Sequence, residues 1–361
     1  MRYLFKPFLS LIILLLITLS LLLLQERKVF DMETLVRIDP LPHTKALIKE
    51  NKYLEAEEYL SYFMEYPYVQ NNPESQPLLQ KIKEKRASYE YKSKKLIEGL
   101  LKGKSDEDIG KVSAIASDFL LIGDIRDLSI QGSHYYNDEK VDKVMVALSS
   151  LGLIATVSTI YTLGATAPLK TSVSVLKYAK NANKLPLWLN KQLITDAKIA
   201  KKTRSLEKIK GLLEPIHKLY DKVGLAQTLN LLKKTKNLKE LKMLMNFSSR
   251  FGKKSQILLQ TTNGKALKYI KIIPNAKNKN ILYASTYGEN GLKGMSKMGE
   301  AKFMRRVGFK ANLVKTGYKG NFNSLFDYLL KHLPSWLLFS TAFLGLFYFT
   351  RKFYVLVKKL F

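Results

Sequence analysis

The chain has 361 residues, with 60 lysines and arginines against 30 aspartates and glutamates, and it contains no cysteine. A hydrophobic fraction of 46%, with 11 prolines and 19 glycines, excludes a disordered or collagen-like polypeptide. The missing thiol excludes disulfides, thiolate zinc sites, iron–sulfur clusters and a cysteine nucleophile, while the +30 charge draws the chain towards anionic lipid or nucleic acid.

Residues 7–25 carry no charge, and 11–24 are mostly Leu and Ile. At 1.5 Å per residue this run is about 28 Å long, close to the hydrocarbon thickness of a bilayer. A cleaved signal would have a shorter apolar region ending in a small-x-small site. Here the run passes directly into Gln25-Glu26-Arg27-Lys28, so it reads as an uncleaved transmembrane anchor.

The stretch 31–110 reads as a helical hairpin region. Ala46, Leu47, Tyr53, Leu54, Ala56, Tyr59, Leu60 and Phe63 form the apolar set of a hairpin over 45–64. Its turn, Asn51-Lys52-Tyr53-Leu54-Glu55-Ala56, looks like that of a tetratricopeptide-type unit. No repeat at a period near 34 accompanies it, so a lone hairpin is expected instead of a solenoid. Asn71, Asn72 and Pro73 predict a loop over 68–76, followed by a helix over 78–101.

Residues 111–170 combine an acidic motif with an apolar hairpin. Asp118, Asp124, Arg126 and Asp127 form the candidate functional cluster. On a helix Asp124 and Asp127 share a face at i, i+3, and Arg126 pairs with a neighbouring acid. Asp138, Glu139 and Asp142 then lead into 144–169, which has no charge but many Ser and Thr residues. Ala147, Gly152, Ala155, Gly164 and Ala165 permit close helix packing. The segment is either a buried or re-entrant hairpin broken near 164–168, or a true span. Parity favours the first, because one extra span would separate the termini. The acids are either structural caps and ion pairs or carboxylates that gate membrane insertion on protonation.

Asp118-Phe119 and Gly123-Asp124-Ile125-Arg126-Asp127, followed by the apolar hairpin, resemble the helical pre-toxin segment of bacterial polymorphic toxins. The resemblance covers about 112–180. It implies a membrane-proximal helical module that assists membrane association or release. The chain departs from that family in having two terminal apolar segments and no toxin motif after the module.

Residues 171–280 hold 25 basic and five acidic residues. Fifty of the chain's 60 basic residues are lysines, a skew that AT-rich coding produces by itself. Leu206, Ile209, Leu213, Ile216, Leu219, Tyr220 and Val223 mark an amphipathic helix in which Pro215 is either a kink or a fresh start. A second amphipathic stretch runs from Leu225 to Leu244. Lys201, Lys202, Arg204, Lys208, Lys233 and Lys234 form the candidate polyanion surface, for anionic lipid or nucleic acid. Core-facing helices with solvated lysines are the structural alternative.

Chemistry-bearing motifs are few. Gly99 to Ser105 has three residues between its glycines where a phosphate-binding loop needs four. Gly288, Gly291, Gly294 and Gly299, in the region 281–331, read as turns between short helices. His43, His134, His217 and His332 show no metal-ligand spacing. No catalytic residue, metal site or cofactor is expected.

Residues 332–350 form the second apolar run, flanked by Trp336, Tyr348 and Tyr354 as an interfacial belt and followed by Arg351, Lys352, Lys358 and Lys359. The run reads as a transmembrane helix with a cytoplasmic C-terminus. The expectation is therefore a mainly α protein, with a helical domain between two terminal transmembrane helices and a central apolar hairpin. Its expected place is a bacterial inner membrane, with both termini cytoplasmic and the large loop periplasmic. Its expected role is non-catalytic scaffolding or binding of envelope partners. The alternatives are pore formation or toxin association, and polyanion binding at the membrane.

Overall fold

The computed structural model describes residues 2–92, 113–308, 329 and 332–358. The glycine–lysine motif at 99–105, the end of the helix expected over 78–101, and much of 281–331 lie outside the described residues. All regular structure in the described residues is helical. The chain forms two compact units: Met1–Ile38 with Leu258–Phe361, and Asp39–Ile257.

The second unit begins with α1 (Leu41–Lys49) and α2 (Tyr53–Phe63). Asn51 turns between them at φ 58°, a left-handed conformation that asparagine tolerates. Leu47, Leu54, Ala56, Leu60 and Phe63 are buried in this hairpin, with Tyr59 edge-on to His43 at 4.6 Å. A short turn, α3 (Pro67–Gln70), occupies part of the loop expected over 68–76. The next helix, α4 (Ser75–Ala87), buries Leu79 and Ile82, and Arg86 reaches Glu57 of α2 at 2.5 Å. It breaks at Ser88, where ψ is 143°, and residues 89–92 are helical again beyond the break.

The rest of this unit is a bundle of α5 (Ser113–Tyr136), α6 (Lys143–Tyr161), α7 (Ala167–Asn181), α8 (Leu187–Thr203), α9 (Glu207–Leu232) and α10 (Leu238–Phe251). Asp142 caps α6, accepting from the N–H groups of Val144 and Met145 at 3.0 and 3.1 Å. The apolar segment 144–169 is thus a helix, a turn at 162–166 and the start of a second helix. Leu148, Leu151 and Ala155 of α6 are fully buried against α5, α7 and α8.

Two details depart from the sequence reading. Pro215 lies buried inside α9 without ending it, and the break falls at Gly224, whose φ of 79° suits a residue without Cβ. The amphipathic stretch after it is divided between the end of α9 and α10, where the Asn237 side chain caps by accepting from the Glu240 N–H at 2.9 Å.

The first unit contains the long N-terminal helix (Arg2–Val29), here αN, and the C-terminal helix (Ser335–Val357), here αC. They run antiparallel: Ser10 meets Tyr348 at 3.3 Å, Ser20 meets Thr341 at 2.8 Å, and Arg27 donates to Ser335 at 2.6 Å. Leu23 and Leu338 are buried together. A Cβ on Gly345 would lie 2.5 Å from Ile17 Cδ1, so the glycine is what lets the two backbones approach. Outside this seam the leucines of αN point away from protein, Leu11 being 61% and Leu15 62% exposed.

Helices α11 (Lys254–Thr261), α12 (Ala266–Ile272), α13 (Asn278–Ser285), α14 (Gly288–Met298) and α15 (Glu300–Gly308) lead into and build the rest of this unit. The end of αN is fixed to it, with Glu26 accepting from Lys302 at 2.5 Å and from Arg306 at 2.8 Å. Gly291 and Gly294 are not turns but closely packed helical positions. A Cβ would come within 2.7 Å of the Ala284 carbonyl carbon at the first and 2.9 Å of the Phe30 ring at the second. Gly288 and Gly299, at φ 64° and 84°, do form helix junctions.

By length and apolarity, two helices among the described residues are able to cross a membrane, αN over Leu9–Val29 and α6 over Lys143–Tyr161. The C-terminal run is shorter than its sequence suggested. Pro334 delays the helix to Ser335, and Arg351 and Lys352 follow residue 350, leaving about 24 Å of charge-free helix.

Candidate functional site

The acidic motif becomes a buried ion cluster through a residue distant in sequence. Asp124 and Asp127 sit one turn apart on α5, and both accept hydrogen bonds from the Lys177 ammonium of α7. The contact to Asp127 Oδ2 is 2.9 Å, and the Asp124 contact is closer still. Asp124 is 3% exposed. It rests on Gly152 of α6, where a Cβ would stand 2.6 Å from the Asp124 carboxyl carbon. Arg126 pairs with Asp127 at 3.2 Å from the solvent side. The side chain of Asp118 lies outside the described residues.

Burial pushes the Asp124 carboxyl above its usual range, opposed by the Lys177 hydrogen bond and charge and reinforced by neighbouring Asp127. Asp142 behaves in the opposite way. Partial burial raises it, but the Lys180 ammonium at 2.8 Å and the N–H groups of Met145 and Val144 outweigh that and hold it low. The two acids thus bind α6 to its neighbours by different means: one is an internal counter-ion in a glycine-made space, the other a helix cap at the edge.

Lys177 was not singled out from the sequence, yet a signal exists. It falls within the inward face of α7, beside Leu169, Ser172, Val173, Leu176 and Ala179, where a lysine needs an acidic partner. Among the described residues no three His, Asp or Glu side chains converge as metal ligands.

The six basic residues proposed as one polyanion surface occupy opposite ends of the bundle. Near the start of α7 and α9, the Ser172 hydroxyl donates to the Leu213 carbonyl at 2.8 Å. Near their other end, Lys184 donates to Asn230 at 2.7 Å. These helices therefore run parallel, and α8, which packs on α6 and α9, returns in the opposite direction. The exposed Lys201, Lys202 and Arg204, at the end of α8, and Lys208, at the start of α9, share the end that holds the 162–166 turn. Lys233 and Lys234 follow α9 at the far end, beside Thr235, whose carbonyl accepts from the Trp188 indole at 3.0 Å.

In the first unit Arg37 is enclosed by aromatic rings, 4.9 Å from the Tyr283 centroid and 4.6 Å from that of Tyr287, and it donates to the Tyr283 hydroxyl at 2.5 Å. Burial and the adjacent Tyr283 push the Tyr287 hydroxyl upward, opposed by Arg37. This cluster, with the Ile38 N–H on the Thr286 carbonyl at 2.8 Å, fastens the segment after αN to α13 and α14. Comparison with family models, curated proteins and solved structures finds no match for this chain.

Proposed function

We propose that the protein is a membrane-anchored, non-catalytic scaffold of the bacterial envelope, held by αN and αC as an antiparallel pair, with a helical body that binds envelope partners. The supporting observation is the αN–αC seam. Gly345, Ser20–Thr341 and Ser10–Tyr348 lie in the seam beside Ile17, Leu23 and Leu338, while eight other large aliphatic residues of αN, from Leu9 to Leu22 and including Leu11, Leu14, Leu15 and Leu16, are exposed. Water favours the reverse arrangement, whereas hydrocarbon rewards it. At 28 residues αN is about 42 Å long, enough to cross about 30 Å of hydrocarbon and continue beyond it. The shorter αC reaches across by snorkelling of Arg351 and Lys352, with Phe353 and Tyr354 in the interface.

The antiparallel arrangement pools the flanking charges. Arg2, Lys6, Arg351, Lys352, Lys358 and Lys359 flank the outer ends of the pair with no acid among them, whereas Glu26 and Asp31 accompany Arg27 and Lys28 at the other. The positive-inside rule then puts both termini in the cytoplasm of an inner membrane and the body in the periplasm. We read α6 as a core helix of that body, since its partner helices α7 and α8 carry Lys170, Lys177, Lys180, Lys191 and Lys198 along their length.

The cysteine-free chain makes the test direct. Ser133→Cys and Ser205→Cys, made singly, precede and follow α6 at exposed positions. Both are expected to react with a membrane-impermeant maleimide in whole cells, and the protein is expected to resist carbonate extraction. Labelling of one site alone overturns the core reading of α6. Labelling of neither before lysis overturns the periplasmic body, and extraction by carbonate overturns the anchor.

A further inference from the structure

The end of α6 and the turn that joins it to α7 expose large apolar side chains. Leu163 is 97% exposed, Tyr161 84%, Ile160 69% and Val157 51%. Leu163 also adopts φ 50°, a left-handed conformation disfavoured for a side chain with Cβ. An exposed leucine held in a strained conformation at a helical tip has no use in water, and strain of this kind marks functional positions.

The backbone N–H donors of the turn are paired within it. The N–H of Thr162 donates to the Ser158 carbonyl at 2.9 Å, that of Leu163 to Ile160 at 3.3 Å, and that of Gly164 to Thr159 at 2.8 Å. The N–H groups of Ala165 and Ala167 donate to Thr162 and Gly164 carbonyls at 3.1 and 3.0 Å, and that of Thr166 to the Thr162 hydroxyl at 3.3 Å. The hydroxyls of Thr159 and Thr162 donate to the Ala155 and Ser158 carbonyls, both at 2.7 Å. Residues 145–169 carry no charge. A turn whose donors are paired internally in this way enters a bilayer interface, where its remaining carbonyls still meet water, at reduced cost.

Its surroundings supply the matching charge. Lys201, Lys202, Arg204 and Lys208 are exposed at this same end of the bundle. We propose that this end docks on an anionic bilayer, the Tyr161–Leu163 tip entering the boundary between headgroups and acyl chains while the four basic side chains meet lipid phosphates. Nucleic acid would account for the cations but not for the exposed, internally bonded apolar tip. The contact is separate from αN and αC and does not depend on their spanning.

The test uses the full chain with Leu163→Cys as its only thiol, carrying an environment-sensitive dye, reconstituted into vesicles containing brominated lipid. With a third of the lipid as phosphatidylglycerol, we expect a blue shift and at least threefold stronger quenching than in vesicles of phosphatidylcholine alone. The same dye at Tyr136→Cys, 89% exposed at the other end, stays aqueous in both. Adding K201A, K202A and R204A returns the Leu163→Cys signal to its phosphatidylcholine level. An aqueous signal in both lipids overturns the proposal, as does equal quenching at both label sites. A shift that appears only with added oligonucleotide, or that grows with protein concentration independently of lipid, overturns it in favour of nucleic acid or a second copy. Carbonate resistance of the same vesicles reads anchoring separately, so either idea can fail alone.

Discussion

The N-terminal helix αN and the bundle helix α6 satisfy the same criterion of length and apolarity, and their environments are opposite. On αN most leucines are exposed, and the seam to αC combines glycine, serine and threonine with Ile17, Leu23 and Leu338. On α6 the leucines face inward, and its neighbours bring an ion cluster onto Gly152. An apolar helix therefore does not choose its own solvent; the side chains of the helices packed against it decide. On the proposed reading, lysine-bearing partners hold α6 in a protein core, whereas αC, its main partner among the described residues, leaves αN a broad apolar surface.

The largest effect should come from removing the cation of the α6 environment. Lys177→Met leaves Asp124 buried without its counter-ion, so unfolding by denaturant in detergent should shift by about 3–5 kcal/mol. A loss below about 1 kcal/mol would place the cluster in water and erase the contrast. Next, Leu15→Lys puts a charge on the outward face of αN. On a hydrated surface it would be nearly silent, whereas at the centre of a bilayer it costs about 2.5–3.5 kcal/mol. Carbonate extraction should accordingly release a large fraction of the variant.

A smaller effect is expected at the seam. Gly345→Leu must displace Ile17, an overpacking of about 1–3 kcal/mol. Oxidative cross-linking of a Ser20→Cys, Thr341→Cys pair should fall several-fold in that background. Least of all is a pH term that separates the two acids of the α6 environment. Asp124 is raised above its ordinary 3.8, so the folded chain holds its proton more tightly and this group's contribution to stability falls as pH rises through the window above 3.8. Asp142 is lowered, so its contribution is full above 3.8 and is lost as pH falls below that value. Asp124→Asn should remove the first slope and keep the second. Urea midpoints measured from pH 3 to pH 7 would show it, and an unchanged slope above 3.8 would refute the assignment.

Helix content and the position of the α1–α2 hairpin were legible in the sequence because their apolar spacing is local. Asp124 and Asp127 were legible as a shared face for the same reason. Lys177 was not, because its partners lie on another helix and only its place on an apolar stripe hinted at them. Gly291 and Gly294 misled: their spacing resembles a flexible stretch, and the Phe30 ring that requires one of them stands far away in sequence. In the sequence Pro215 reads as a break, yet the helix continues through it and breaks at Gly224, where φ 79° selects glycine. The basic residues read as one surface in the sequence because composition carries no information about which end of a bundle a lysine reaches.

The join between αN and its unit has a mechanical consequence. A single span ending in a loose tether is a swivel, and the body it carries tumbles freely above the membrane. Here αN continues unbroken to Val29, where Glu26 is gripped by Lys302 and Arg306 and Arg27 by the first residue of αC. Two antiparallel members clamped at their shared end make a bracket, which resists twisting as well as pulling. On the proposed reading, a load applied to this unit reaches the bilayer as torque and fixes the direction in which the unit faces.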